Sequence, residues 1–341
     1  MTSHPEWNEH TTATEVARTY ADRIKGKTIL ITGLNPHGIG SATALALASG
    51  APALLILLSR TPAKLAAVAA ALHAAHPGVR VATVPADLAS QASVRAAAAA
   101  VAALTPALDL LVHNAAASYT RRAATPEGIE RTFGTNHVGP FLLTGLLLPL
   151  MVAAAAAREA RPGAVRLVNV SSKGAMFSPV RFHDYNFEGK PVPCEEEPLA
   201  GLPPALAQCA DDGYNAMLCY AQSKTANILF TLELQRRLQG RGIRSYAVHP
   251  GAAETEIGRD LDEGLTAQLS KMVPHWKTLD ECAATTLAAA LDPALDETRG
   301  LYMEDCNFAT PPHEGASKPE LAERLWHLSE ELVGEKFPLD Y

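Results

Sequence analysis

Lys27-Thr-Ile-Leu-Ile-Thr32 runs straight into Gly33-Leu-Asn-Pro-His-Gly38-Ile-Gly40. The first six residues are a short, β-branched apolar run, the pattern of a strand buried on both faces. The loop follows it, and a helix over Ile39–Ser49 is expected to open from the loop and stop at Gly50. Strand, glycine loop and helix in that order suit a dinucleotide cradle. Gly33 permits the tight turn, Gly38 lets backbone approach a pyrophosphate, and Gly40 allows close helix packing. The helix N-terminus then offers unpaired N–H groups and the positive end of its dipole to the phosphates. A plain glycine turn before a helix is the alternative.

Outward from this unit the chain alternates. Strands are expected at Leu54–Leu58, Val79–Val84, Leu108–His113, Val165–Val170, Ile243–His249 and near Gly300–Met303. Helices are expected from Pro62 to about His76, at Ser90–Leu104, from Thr125 to about Glu159, and at Tyr214–Gln239, Leu279–Leu291 and Pro319–Val333. Alternating apolar strands and helices imply a parallel sheet covered on both faces, and right-handed crossovers favour a doubly wound arrangement. The expectation is an α/β protein: a single doubly wound Rossmann domain over residues 25–341, with about seven parallel strands. Residues 1–24 read as a polar leader. Residues 174–213 and 251–277 break the alternation and read as substrate-side segments. Gly174–Gly213 has so little periodicity that firm packing along its whole length is not expected; it reads as a lid.

Composition narrows the function. Of 341 residues 48% are hydrophobic, ample for a core, and the net charge of −7 without a basic run argues against nucleic acid. The five cysteines are scattered and odd in number, which reads as reduced thiols of a cytoplasmic protein. Val138–Ala157 is twenty residues without a charge, but it carries Gly139, Pro140, Gly145 and Pro149, so a buried helix explains it better than a membrane span. No His, Cys, Asp and Glu set has metal-ligand spacing, and metal-free chemistry is expected.

Two further patterns carry chemistry. In Tyr220-Ala-Gln-Ser-Lys224 a phenol and an ammonium lie one helical turn apart on one face. A free tyrosine ionises near pH ~10 and a neighbouring cation favours its phenolate, so the pair suits proton exchange at neutral pH. Alone, the pair also fits many amphipathic helices. The second pattern is Ser59-Arg60 at the end of the second strand, where an NAD-type site carries an acid. A guanidinium there suits the 2′-phosphate of NADP, and His37 could add to it.

Together these residues resemble the short-chain dehydrogenase/reductases, and look closest to their retinol-dehydrogenase-like, fungal branch. The resemblance runs from about Lys27 to Met303. Thr32–Gly40 is similar to the family's Thr-Gly-x3-Gly-x-Gly signature with one extra residue between the first two glycines. Asp87-Leu88 matches the pair that contacts adenine, and His113-Asn114-Ala115-Ala116 stands for Asn-Asn-Ala-Gly. Asn136, in Thr-Asn-His-Val-Gly-Pro-Phe, matches the asparagine that completes a catalytic tetrad through a water. Ser171-Ser172 matches the serine motif, whose second serine is catalytic. Tyr220 and Lys224 match the Tyr-x3-Lys pair, and Pro250-Gly251 with Thr255 the turn beside the nicotinamide carboxamide. The resemblance thus implies Asn136, Ser172, Tyr220 and Lys224 as catalytic. It implies Gly33, Asn35, His37, Gly38, Ile39, Gly40, Ser59, Arg60, Asp87, Leu88, Asn114, Ala115, Pro250, Gly251 and Thr255, with Tyr220 and Lys224, as the NADP(H) site. His113, His137 and His249 border the site and read as packing residues.

The expected activity is hydride transfer between NADP(H) and a carbonyl or secondary alcohol, in a monomer or homodimer. Tyr220 would give the proton, Ser172 bind the oxygen, and Lys224 lower the tyrosine's pKa and hold the ribose. Met176, Phe177, Phe182, Tyr185 and Phe187 in the insertion would form an apolar wall for a hydrophobic or polycyclic substrate, retinoid-, steroid- or polyketide-like, unless they anchor the segment instead. A non-redox epimerase or lyase, or a catalytically silent binding protein, are the alternatives on the same scaffold.

Overall fold

The β-branched and leucine-rich runs become the strands of one sheet. In the computed structural model, which describes residues 1–159, 161–199, 207–254, 273, 275–297 and 300–337, the order is β3-β2-β1-β4-β5-β6-β7-β8. The strands are β1 (Thr28–Thr32), β2 (Leu54–Ser59), β3 (Val81–Pro85), β4 (Leu110–His113), β5 (Val165–Val170), β6 (Ile243–His249), β7 (Tyr302–Glu304) and β8 (Asn307–Phe308). The first seven are parallel. The eighth, absent from the seven expected, returns antiparallel on β7 as a short hairpin. The order reverses between β1 and β4, and in open sheets of this kind ligands bind in the crevice at the carboxyl ends of the strands at that point.

Helices cover both faces: α1 (Ala13–Thr19), α2 (Ala21–Ile24), α3 (Ile39–Ala48), α4 (Pro62–Ala75), α5 (Gln91–Leu104), α6 (Gly139–Ala157), α7 (Ala216–Arg237), α8 (Leu279–Leu291) and α9 (Pro319–Val333). Residues 1–24 are not a detached leader. Trp7, Ala13, Val16, Ala17, Tyr20 and Ile24 are buried in the same core as β1 and α8. Their polar neighbours face outward, which makes the segment read as polar. Among the described residues one helical stretch, Arg131–Ala157, is long and apolar enough to cross a membrane. Its Phe141, Leu142, Leu143, Leu147 and Met151 are buried in the core that α6 shares with α5 and α9.

The expected helix from Thr125 begins later. Thr125–Gly128 is a turn, with Gly128 at φ +81° and Gly128 N–H donating to Thr125 O at 3.0 Å. Glu130 then caps a helical turn at Arg131–Phe133, its carboxylate accepting from Thr132 N and Phe133 N. A π-turn at Gly134–Val138 follows before α6.

The insertion departs furthest from expectation. Phe177, Ser178, Val180, Asp184, Phe187 and Glu196 are buried, and Phe177 and Phe187 form a small core with Tyr214, Leu218 and Cys219. Arg181 N–H donates to Gln222 Oε1 at 2.9 Å, and Gln222 Nε2 donates to Tyr185 O at 2.9 Å. Absent periodicity meant absent secondary structure, not absent packing: anchors at irregular spacing hold residues 174–199 to α7. Phe177 and Phe187 therefore secure the segment and do not line a substrate wall, whereas Met176 is exposed.

Candidate active site

Strand β5 delivers two serines to the crevice with opposite fates. Ser171 is buried and donates its hydroxyl to Lys224 O at 2.7 Å, which spends it on tying β5 to α7. Ser172 caps the 3₁₀ turn Lys173–Phe177 and accepts from Gly174 N–H at 3.0 Å, and the Tyr220 ring borders the same Gly174. Asn215 starts α7 by accepting from Leu218 N–H, and the helix carries Tyr220 and Lys224 one turn apart toward Ser172.

The electrostatics differ from the expectation drawn from spacing. Lys224 is almost fully buried, donates to Val170 O at 2.9 Å, and places its Nζ 5.5 Å from the Tyr220 ring centroid. Burial pulls the ammonium down to about 7. It also pushes the phenol up to about 12, against the lowering by the Ser172 hydrogen bond, although the Tyr220 ring keeps a partly exposed edge. Burial thus sets the direction of both shifts: it raises the phenol and draws the ammonium down toward neutral pH. At neutral pH the phenol is protonated, which suits a proton donor.

Asn136 sits in the π-turn, a form enriched at functional sites. Its Oδ1 accepts from Ala117 N–H at 2.8 Å, and its Nδ2 donates to Ala117 O at 2.9 Å and Ser223 Oγ at 3.0 Å. The side chain is thus spent on pinning the loop after β4 to α7. Its backbone carbonyl accepts from the Asn227 amide, turned to satisfy its neighbours, at 2.9 Å. His113 and His137 are packing residues as expected. They bond Thr144 and Ser329 hydroxyls at 2.7 Å each, and burial holds both rings down at about 3. His249 accepts from Lys173 N–H at 3.2 Å and is held at about 4 by burial.

On the other side of the crevice, Gly33 has φ +79°, and a Cβ there would collide with the Ala115 backbone. At Gly40 a Cβ would strike Asn114, whose Nδ2 donates to Thr32 O and Gly33 O, both at 3.0 Å. The extra loop residue is absorbed locally, since His37 N–H donates to Asn35 Oδ1 at 2.9 Å and the Ser41 hydroxyl reaches Asn35 O. Gly38 is the extended N-cap of α3 and no side chain caps it, while Ile39 opens the helix partly exposed. A bare helix N-terminus behind side-chain-free backbone fits a pyrophosphate. Ser59 is partly buried at the end of β2, Arg60 and His37 are exposed, and Asp87 Oδ1 accepts from Ala89 N–H beside buried Leu88. Gly251, at φ +95°, packs on Lys277 next to buried Pro250. Thr255 lies outside the described residues, as does much of 251–277.

The mouse (Mus musculus) retinol dehydrogenase 12 is 34% identical over 313 residues, covering 92% of this chain and 88% of that protein. The chain belongs to the short-chain dehydrogenase/reductases. The short chain dehydrogenase family model matches residues 27–186. Among solved structures, an uncharacterized protein from Mycobacterium Paratuberculosis is 30% identical with a TM-score of 0.64, covering 92% of this chain and 96% of that one. A Burkholderia cenocepacia J2315 short chain dehydrogenase in complex with NADP is 25% identical with a TM-score of 0.59, covering 83% and 97%. As a short-chain dehydrogenase/reductase, the protein is a hydride-transfer oxidoreductase that uses a nicotinamide cofactor on a small-molecule substrate. Within this family site, reading the motifs overlooked Gln222, Ser223 and Asn227. They lie inside the Tyr220–Lys224 window or one turn beyond it, and helical spacing alone places them on neighbouring faces.

Proposed function

We propose that the protein is an NADP(H)-dependent reductase or dehydrogenase of a hydrophobic carbonyl or secondary alcohol. The observation that carries the chemistry is that the Ser172 hydroxyl and the Tyr220 ring both border Gly174, with Lys224 buried one turn behind. The nicotinamide, when bound, supplies or takes the hydride. In reduction the Tyr220 hydroxyl gives its proton to the carbonyl oxygen. Ser172 donates to the same oxygen as charge develops on it. Lys224, held near 7 by burial, can take or lose a proton at working pH and so restore the phenol. Asn136 keeps the loop after β4 in register with α7.

Support for NADP comes from Arg60 at the exposed end of β2 with no acid beside it, and from the NADP in the Burkholderia relative. Support for an apolar substrate comes from the retinol dehydrogenases that this chain is similar to. The deciding experiment is a panel of ketones, aldehydes and their alcohols followed by NADPH oxidation or NADP reduction. Consumption in step with product on bulky apolar members is expected. Product without consumption of NADPH would point to a non-redox reaction, and no product at all to a binding protein.

A further inference from the structure

We propose that His10, His275 and Glu281 form a divalent transition-metal site that staples the N-terminal segment to the start of α8. His10 Nδ1 lies 3.6 Å from Glu281 Oε1, and His275 Nε2 lies 4.0 Å from Glu281 Oε2. All three groups present a ligand atom within 4.8 Å of one another. Tetrahedral zinc with bonds of about 2.0–2.1 Å sets its ligand atoms roughly 3.4 Å apart, so a small inward shift of the two rings closes the site. Two imidazoles and one carboxylate are borderline donors suited to Zn²⁺, Co²⁺ or Ni²⁺. The exposed face of His10 leaves the fourth position to water.

Two features mark the cluster as built. Glu281 is locked by the capping box of α8: its Oε2 accepts from Thr278 N–H at 2.8 Å and Thr278 Oγ1 at 3.0 Å, which leaves Oε1 turned toward His10. Among the described residues His275 Nε2 is buried with no hydrogen-bond partner, although it faces this carboxylate. A buried, unbonded ring nitrogen is costly, and a metal ion would satisfy it. The His10 ring meets His275 edge-on, with centroids 4.7 Å apart. Thr14 already docks the N-terminal segment on Asp280 through its N–H and hydroxyl.

The staple holds more than the N-terminus. His275 precedes Trp276, which bridges to Ala252, and Lys277 N–H donates to Ala252 O at 2.9 Å. Loading the site therefore anchors the return of the segment that leaves the crevice at Gly251. Sequence spacing hides the set, because His10 and His275 are 265 positions apart.

The test is titration of the metal-free full chain, without dinucleotide, with Co²⁺ and with Zn²⁺, followed by equilibrium dialysis and thermal melting. One ion per chain is expected, with a rise in Tm of roughly 4 °C at a hundredfold excess over Kd. His10→Gln, at an exposed position, is expected to melt like the metal-free wild type while losing at least ~10-fold in affinity; His275→Gln is expected to lose binding. Co²⁺ or Zn²⁺ affinity unchanged in His10→Gln, as thiolate binding at exposed Cys194 and Cys209 would give, overturns the proposal. So does the absence of binding up to millimolar metal.

Discussion

Two irregular segments flank the crevice, and they are held by different means. The glycine loop at residues 33–40 is fixed by backbone: Gly33 presses on the Ala115 backbone, Gly40 leaves room for Asn114, and Asn114 bonds two carbonyls of the β1 end. The insertion, described at 174–199 and 207–213, is fixed by side chains from distant elements: Gln222 from α7, Arg324 from α9 on Glu196 at 3.1 Å, and the Phe177–Phe187–Tyr214 cluster. Backbone packing of this kind depends on the glycines alone, whereas side-chain anchors can be exchanged one at a time.

That contrast can be broken at several points. Tyr220→Phe, beside Gly174 at the start of the insertion, should lower turnover at least ~100-fold and leave NADPH affinity within a few-fold. Steady-state kinetics with a parallel binding titration checks this, and turnover near wild type would remove Tyr220 from the chemistry. Arg60→Ala acts on the cradle side only. A charged hydrogen bond to a phosphate is worth about 1.5–3 kcal/mol, so NADPH should lose roughly 10- to 100-fold against NADH in direct titration. A wild type that prefers NADH would overturn the reading of the β2 end.

Lys224→Met probes the helix between the two segments. With its folded pKa near 7 and an ordinary value of 10.5, Lys224 binds more protons in the unfolded chain between those limits. Stability of the cofactor-free protein should therefore rise with pH from 7 upward, by at most about 1.4 kcal/mol per unit from this residue. Denaturant melts at pH 7 and 9 should show a smaller rise in Lys224→Met, and an identical rise in both proteins would show that burial of the ammonium is not felt. Lys27, held near 8 by burial, contributes in the same direction and is common to both proteins.

Gln222→Ala tests the insertion's anchorage and should have the smallest effect on catalysis. It leaves Arg181 N–H and Tyr185 O unpaired, which should lower Tm by roughly 2–6 °C. KM for a bulky substrate should rise several-fold, that for a small ketone much less, with NADPH affinity unchanged. Equal losses for both substrates would make the segment a plain structural part of the domain.

By itself the sequence determined the seven parallel strands to within a few residues, because most are short runs rich in apolar residues bounded by stop signals; α1, α2, β8 and the start of the helix expected from Thr125 escaped it. It also determined the cradle glycines and the Tyr220–Lys224 pair, whose partners lie within one turn or one loop. Tertiary structure decided what depends on distant residues meeting. It set Ser171 to tie β5 to α7, its hydroxyl donating to Lys224 O. It drew the Lys224 ammonium down toward neutral pH by burying it, an effect that spacing does not encode. It folded residues 1–24 into the core and locked the insertion onto α7. Local periodicity records which face of an element is apolar; which side chains end up buried against that face, and with what partners, is set only when the elements pack.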